Sequence, residues 1–174
     1  MTGPRIREMT RADCDRVAEI RVRGWQHAYR GMIPQSYLDG LSVAEDAERR
    51  RARLVQGGAV VNLVAEDAAG EVVGWACHGP YREGEVQVRA GDAELYALYV
   101  HPDHLGRGAG QALLAESVSR CAAAGHGRLL LWVLKENARA RRFYERAGLR
   151  PDGAEEPFEV DGVVVPEVRY ARPL

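Results

Sequence analysis

Apolar and polar positions follow two different periods along this chain, which predicts a mixture of strands and helices. Strands are predicted where short runs rich in Val, Leu and Ala are bounded by turn residues. The segment from Asp67 to Gly70 has the turn chemistry of a hairpin, whereas residues 79–93 predict a long loop with at most a short ladder. The predicted strands cover residues 6–9, 59–66, 72–77, 94–100 and 129–134.

Helices are predicted where apolar residues recur at helical spacing. A first helix, which Thr10 or Asp13 can cap, has one apolar face formed by Ala18, Val22, Trp25 and Tyr29. Asn137 can cap the last helix, and Gly148 ends it. Together with the first, the predicted helices cover residues 43–56, which are strongly charged, 110–124 and 137–147.

The dipeptide Asp161-Gly162 predicts a final hairpin between residues 155–160 and 163–171. The order is then one strand, two helices, three strands, a helix, a strand, a helix and the hairpin. This order predicts an α+β fold, in which a mixed, mostly antiparallel sheet is flanked by helices. No repeat or linker divides residues 1–174, so we expect a single domain.

The charge balance and the cysteine content exclude several classes of function for this protein. The 24 basic and 25 acidic side chains nearly cancel, which argues against nucleic acid or an anionic membrane as the partner. No apolar stretch reaches the length of a membrane span, and the charged N-terminal residues do not resemble a signal peptide. Three widely spaced cysteines predict neither disulfides nor a metal site. We therefore expect a cytoplasmic protein without a bound metal.

A glycine-rich turn between a buried strand and a helix is the most informative local feature. Gly106, Gly108 and Gly110 leave backbone N–H groups uncovered, and the helix N-terminus that follows adds further donors and partial positive charge. A pyrophosphate would be held there, although such turns also serve only for packing. Neither the Walker pattern nor the dinucleotide fingerprint is present, because Gln111 and Ala112 follow the last glycine and the glycines are evenly spaced.

Two linked motifs resemble the acetyl-CoA-binding core of the GNAT (GCN5-related N-acetyltransferase) superfamily. The first is His101-Pro102 followed by the turn from Gly106 to Gly110. The second is the segment Asn137-Ala138-Arg139-Ala140-Arg141-Arg142-Phe143-Tyr144-Glu145-Arg146-Ala147-Gly148-Leu149. The resemblance implies that acetyl-CoA is the co-substrate and that the acceptor is a small-molecule or peptide amine. It also implies a possible homodimer.

The resemblance assigns expected roles to individual residues. The pantetheine arm would pair with the strand through Leu98, Tyr99 and Val100, and Asn137 and Ala140 would contact the cofactor. Tyr144 would protonate the departing thiolate, although a packed aromatic residue would also fit this position. The pyrophosphate would lie on the turn formed by Leu105, Gly106, Arg107, Gly108, Ala109 and Gly110.

Leu105 departs from the family pattern, which usually opens the turn with Gln or Arg, so a side-chain contact to the phosphates is expected to be missing. A base is needed because a lysine-like amine is neutral in only about one molecule in a few thousand at pH 7. Glu94 resembles the glutamate base of some family members, although a solvent-facing glutamate at a strand end fits the sequence equally well.

The acceptor side is less defined. Trp25 and Tyr29 lie where family members place the acceptor-facing segment, although their spacing equally fits a buried helix face. Tyr81, Glu83 and Glu85 would attract a cationic acceptor or simply aid solubility. We expect an acetyl-CoA-dependent N-acetyltransferase. The alternatives are a non-catalytic acyl-CoA sensor of the same fold and a nucleotide-binding regulatory domain.

Overall fold

The computed structural model describes residues 2–83, 86–87 and 91–174. Seven strands form one sheet in the order β1-β2-β3-β6-β7-β9-β8, and β4 and β5 form a separate short ladder. The strands are β1 Arg5–Glu8, β2 Val61–Glu66, β3 Val72–Pro80, β4 Arg82–Glu83, β5 Val86–Gln87, β6 Asp92–Val100, β7 Arg128–Leu134, β8 Arg150–Val160 and β9 Val163–Pro173.

Helices cover both faces of this sheet. Side chains of successive strand residues point to opposite faces, so neighbours such as Leu63 and Val64 enter different halves of the core. Leu63 packs with the helix over residues 109–123, and Val64 packs with the helix over residues 14–28. The helices are α1 Cys14–Ala28, α2 Gln35–Asp39, α3 Val43–Gln56, α4 Ala109–Ala123 and α5 Ala138–Arg146.

The predicted fold class is confirmed, with differences in detail. The helix over residues 43–56 begins and ends as predicted, and the Ser42 hydroxyl caps it by accepting the N–H of Glu45 at 3.2 Å. Helix α2 was not predicted because five residues are too few to show a helical period. The predicted loop over residues 79–93 is shorter than expected, since β3 extends to Pro80 and β6 begins at Asp92. No helix in the described part of the chain is long and apolar enough to cross a membrane.

The sheet opens between β6 and β7, which are its parallel neighbours. Their pairing runs from Asp92 opposite Arg128 to Glu94 opposite Leu130 and stops there. Beyond this point β6 remains paired with β3 as far as Val100, while β7 continues beside β9. A bulge places Tyr96 of β6 between two residues that pair with adjacent residues of β3, which bends the strand at the point of divergence. Along this second half of β6, one strand edge has no strand partner among the described residues.

Candidate functional site

The glycine turn connects this open half of β6 to α4. Gly106 and Gly108 have φ angles of 75° and 90°, a region that side chains rarely adopt. Gly108 is the N-cap residue of α4, so the first N–H groups of the helix have no partner within it. The turn therefore presents backbone donors and the positive end of the α4 dipole to the cleft, as an anion site requires.

The remaining turn residues differ in what they face. Leu105 and Ala109 line the cleft, whereas Arg107 is exposed and does not line it. Gly110 also lines the cleft, and a Cβ atom at this position would lie 3.4 Å from the ring of Phe143. Gly110 thus allows the start of α4 to approach α5 closely.

A cleft of about 1100 Å³ runs from the glycine turn along the open edge of β6 to the hairpin formed by β8 and β9. Leu98, Tyr99 and Val100 line it on the β6 side, and Leu131 and Val133 line it on the β7 side. The two walls are the strands that separate after Glu94, so the cleft occupies the gap in the sheet.

Asn137 lies at the start of α5, where its side-chain oxygen caps the helix and its side-chain N–H groups face a possible ligand. Its Oδ1 accepts the backbone N–H of Ala140 at 3.2 Å and so caps the helix. The side chain is 8% exposed, and both Asn137 and Ala140 line the cleft. Because the cap uses only the oxygen, the amide N–H groups of Asn137 are left to bind a ligand.

Tyr144 projects from α5 into the same cleft. Its ring packs edge-on against Phe143 at a centroid distance of 5.2 Å. Among the described residues, no hydrogen-bond partner is found for its hydroxyl, so this group can donate to a ligand. Burial, with a smaller contribution from Tyr99, raises the pKa of Tyr144 above its usual value. Tyr144 therefore carries its proton throughout the neutral pH range.

Trp25 and Tyr29 bring the end of α1 to the opposite wall of the cleft, where they are partly buried and also line the cleft. Their two rings pack edge-on with centroids 5.0 Å apart, and both residues pack against an apolar cluster formed by Ile33, Leu134, Val160 and Val165. They also line the cleft, and the Tyr29 hydroxyl lies 3.1 Å from the hydroxyl of Tyr99. This wall of the cleft is therefore aromatic.

Glu94 lies at the point where β6 and β7 separate. It is 9% exposed, lines the cleft and accepts the backbone N–H of Arg82 at 3.1 Å. This position does not match the solvent-facing glutamate that the sequence also allowed. Burial raises the pKa of the Glu94 carboxyl above its usual value, and the backbone hydrogen bond and charge of Arg82 partly oppose this shift.

The structure adds cleft residues that the sequence analysis missed, including two glutamates near the end of the chain. Glu156 on β8 and Glu167 on β9 lie directly opposite each other. Their pairing follows from the turn, where Asp161 and Gly162 both have positive φ. Counting outward from this two-residue turn would have located the pair. The other missed residues include Arg82, Tyr96, Trp132 and Phe158.

Of the three residues expected to attract a cationic acceptor, only Tyr81 has a described side chain. Tyr81 is buried, and its hydroxyl accepts a hydrogen bond from Arg169 at 2.8 Å, so it is not an open loop residue. Glu85 lies outside the described residues, and the side chain of Glu83 is not described either.

Comparison with known proteins identifies the family. The model of the acetyltransferase (GNAT) family matches residues 22–149. An N-acetyltransferase called YuaI from Bacillus subtilis is 32% identical over 97% of this chain and 92% of its own length.

Solved structures share the fold. The PaiA N-acetyltransferase of Thermoplasma acidophilum, in complex with coenzyme A, has a TM-score of 0.74 at 19% identity and covers 99% of this chain and 100% of its own. A phosphinothricin acetyltransferase of Sinorhizobium meliloti, in complex with acetyl-CoA, has a TM-score of 0.74 at 24% identity, covering 99% and 89%. On the match to the family model and the full-length relative, the chain belongs to the acetyltransferase (GNAT) family and is an acetyl-CoA-dependent N-acetyltransferase.

Proposed function

We propose that this enzyme acetylates a primary amine that enters between α1 and the β8–β9 hairpin, with Glu94 as the proton acceptor and Tyr144 as the proton donor. The observation that carries the proposal is the gap between β6 and β7. This gap joins a phosphate-binding turn at one end to a buried carboxylate and an aromatic wall at the other. Acetyl-CoA and the acceptor amine would therefore approach each other along one cleft.

The described residues fit acetyl-CoA. Leu98 and Val100 lie on the strand edge that has no partner, which offers backbone groups to the amides of an extended arm. Gly106 and Gly108 supply N–H groups for the phosphates, and the amide of Asn137 faces the same cleft. When bound, acetyl-CoA supplies the activated acetyl group.

The position of Glu94 and its raised pKa both support its role as the proton acceptor. Its carboxylate lies at the end of the paired part of β6, where the acceptor side of the cleft begins. Burial raises its pKa, so the carboxylate is a stronger base than an exposed glutamate. A protonated amine that binds beside it can lose its proton to Glu94 directly or through water.

Tyr144 supports the proton-donor role because its hydroxyl is free within the cleft. Since burial raises the pKa of Tyr144, transfer of its proton to a fully formed thiolate, with a thiol pKa of about 8.5, would be uphill. We therefore propose that Tyr144 donates its proton as the sulfur departs, not after it has left.

The test measures release of the CoA thiol from acetyl-CoA with a panel of polyamines, aminoglycosides, amino acids and N-terminal peptides. Wild type is compared with Tyr144→Phe and with the control Tyr37→Phe, whose ring packs near Trp25. A positioned general acid contributes roughly 10²–10⁴-fold to rate. We expect one acceptor class to accelerate thiol release, and Tyr144→Phe to reduce kcat by about 100-fold while acetyl-CoA still binds.

Three outcomes decide the proposal. Full activity in Tyr144→Phe would remove Tyr144 as the acid. Tight acetyl-CoA binding with no turnover for any amine would favour the non-catalytic sensor. Absence of acetyl-CoA binding would contradict the assignment of the cleft.

A further inference from the structure

Three carboxylates meet at the acceptor end of the cleft, and one of them has a carboxylate oxygen without a partner. Glu94 is nine-tenths buried, and its Oε1 accepts a hydrogen bond from the backbone N–H of Arg82. No hydrogen bond or ion pair to its other oxygen is found among the described residues. Glu156 and Glu167 lie on the neighbouring hairpin and line the same cleft.

The pair on the hairpin is an unfavourable arrangement for the protein alone. Glu156 and Glu167 occupy directly opposed positions on antiparallel strands, where like charges destabilise a sheet. Burial raises the pKa of Glu167 to about 8, together with a hydrogen bond to Glu156 and the negative charges of Glu156 and Glu94. Glu167 therefore keeps its proton at neutral pH, and ionising both members of the pair is unfavourable.

Nearby cations do not neutralise this pair. Arg169, two residues from Glu167, is engaged by Asp152 at 2.7 Å and by the hydroxyl of Tyr81 at 2.8 Å. Arg82 stacks over the ring of Tyr96 at 3.8 Å. In the described ranges, neither Glu156 nor Glu167 forms an ion pair.

The walls beside the carboxylates are aromatic. Trp25 from α1 and Phe158 from β8 pack with ring centroids 6.5 Å apart, and both line the cleft. Aromatic faces attract ammonium groups and also cover alkyl chains. An acidic floor below an aromatic wall matches the chemistry of an alkyl chain that ends in a cation.

We propose that Glu156 and Glu167 select acceptors that carry a second ammonium group, so that the enzyme prefers alkyl diamines to amines with an uncharged end. The inference rests on the proposed function and adds a specificity site to it. Glu94 would face the reacting nitrogen, and the hairpin pair would hold the distant ammonium. Binding of that cation would favour the ionised form of both glutamates, and the proton that Glu167 carries at neutral pH would be released to solvent.

The test compares two acceptors of nearly equal size, 1,4-diaminobutane and 4-amino-1-butanol, at saturating acetyl-CoA. The variants are Glu156→Gln, Glu167→Gln and the double variant. The control is Glu159→Gln, which makes the same chemical change on β8, outside the cleft lining. Circular dichroism and Tm establish that each variant is folded.

A charge-assisted hydrogen bond between a ligand and a partly buried group corresponds to roughly a 10- to 100-fold preference. We expect wild type and Glu159→Gln to favour the diamine by this factor in kcat/KM, mainly through KM. The ratio should fall toward one in the double variant. A merely structural role for the pair would lower the activity on both acceptors and leave the ratio unchanged.

Three results would overturn the inference. The first is equal kcat/KM for both acceptors in wild type, and the second is a diamine preference that survives in the double variant. The third is no acetylation of either probe. In that case acetyl-CoA binding and the broader amine panel decide separately whether the proposed function also fails.

Discussion

The hydroxyl groups of Tyr29 and Tyr99 lie 3.1 Å apart and join the end of α1 to the open half of β6. Burial raises the pKa of both tyrosines, so both hydroxyls stay protonated and one donates to the other. The bond fixes the aromatic wall of the cleft against the open half of β6.

Tyr29→Phe removes this bond and leaves the Tyr99 hydroxyl without its partner. A typical hydrogen bond contributes about 1 kcal/mol to stability, which corresponds to roughly 2–4 °C in Tm for a protein of this size. We expect that loss in thermal unfolding, together with a raised KM for the acceptor. The matched control is Tyr37→Phe, since no partner for the Tyr37 hydroxyl is found among the described residues. An equal effect of the two changes would contradict this assignment.

Gly108→Ala tests the turn through its backbone. A side chain at φ 90° is strained by about 1–2 kcal/mol, so the change should lower stability and also disturb the N–H groups that face the cleft. Gly70→Ala is the control, because Gly70 has φ 81° in the β2–β3 turn and does not line the cleft. Both variants should lose similar stability in urea unfolding. Calorimetry should show about tenfold weaker acetyl-CoA binding in Gly108→Ala alone.

Leu105→Arg tests the departure from the family pattern. Leu105 lines the cleft next to the turn, where a guanidinium would add a charge-assisted contact to a phosphate. We expect the Kd for acetyl-CoA to fall roughly three- to tenfold at low salt, with a smaller gain at high salt because of screening. Leu105→Met keeps a similar volume and should leave the Kd unchanged. An unchanged Kd in Leu105→Arg would show that the phosphates lie elsewhere.

Glu94→Gln tests the proton acceptor through pH dependence. A base works when it is deprotonated, so wild-type kcat/KM should fall as the pH drops below the raised pKa of Glu94. The variant should lose about 100-fold in kcat and should also lose this acidic limb of the profile. Acetyl-CoA affinity, measured in parallel, should change little. Retention of the acidic limb in the variant would assign it to another group.

Glu167→Gln should stabilise the free protein above neutral pH. The pKa of Glu167 is raised to about 8 in the folded state, so folding binds a proton between the unfolded value near 4.5 and 8. Stability then falls as the pH rises through this window, and the loss is complete above about 8. Glu156 and Glu94 face the group and repel it, while Arg82 is nearest to Glu94.

The substitution removes this pH-dependent cost. We expect Tm of the variant to exceed that of wild type by a few degrees at pH 9, and the difference to shrink toward pH 5. Glu159→Gln serves as the control on the opposite face of β8. A difference in Tm that does not vary with pH would show that repulsion at Glu167 is not its cause.

Local signals in the sequence were sufficient to locate most elements. The charged stretch from Val43 to Gln56 predicted the bounds of α3, and Asp161-Gly162 predicted the final hairpin. The glycine turn and Asn137 were located by motif, and both line the cleft. These features are encoded by neighbouring residues, which is why a single sequence reveals them.

Long-range features were not predictable in the same way. The residues of β6 from Leu95 to Val100 are apolar whether or not a strand lies beside them, so their composition conceals the separation from β7. Glu156 and Glu167 line the cleft because the β8–β9 hairpin, which is far from β6 along the chain, lies beside the cleft. The register of the hairpin then places the two glutamates opposite each other. Such relationships depend on the order of strands in the sheet, which single-sequence periodicity does not contain.

The separation of β6 from β7 also has a mechanical consequence. Four strands, β1, β2, β3 and β6, form one half-sheet, and β7, β9 and β8 form the other. In the described structure the two strand groups meet along three paired residues of β6, beside the ion pair between Asp92 and Arg128 at 2.8 Å. Acetyl-CoA bound in the gap would contact both half-sheets and connect them. This connection would form when the co-substrate binds and be lost when CoA leaves, once in each catalytic cycle.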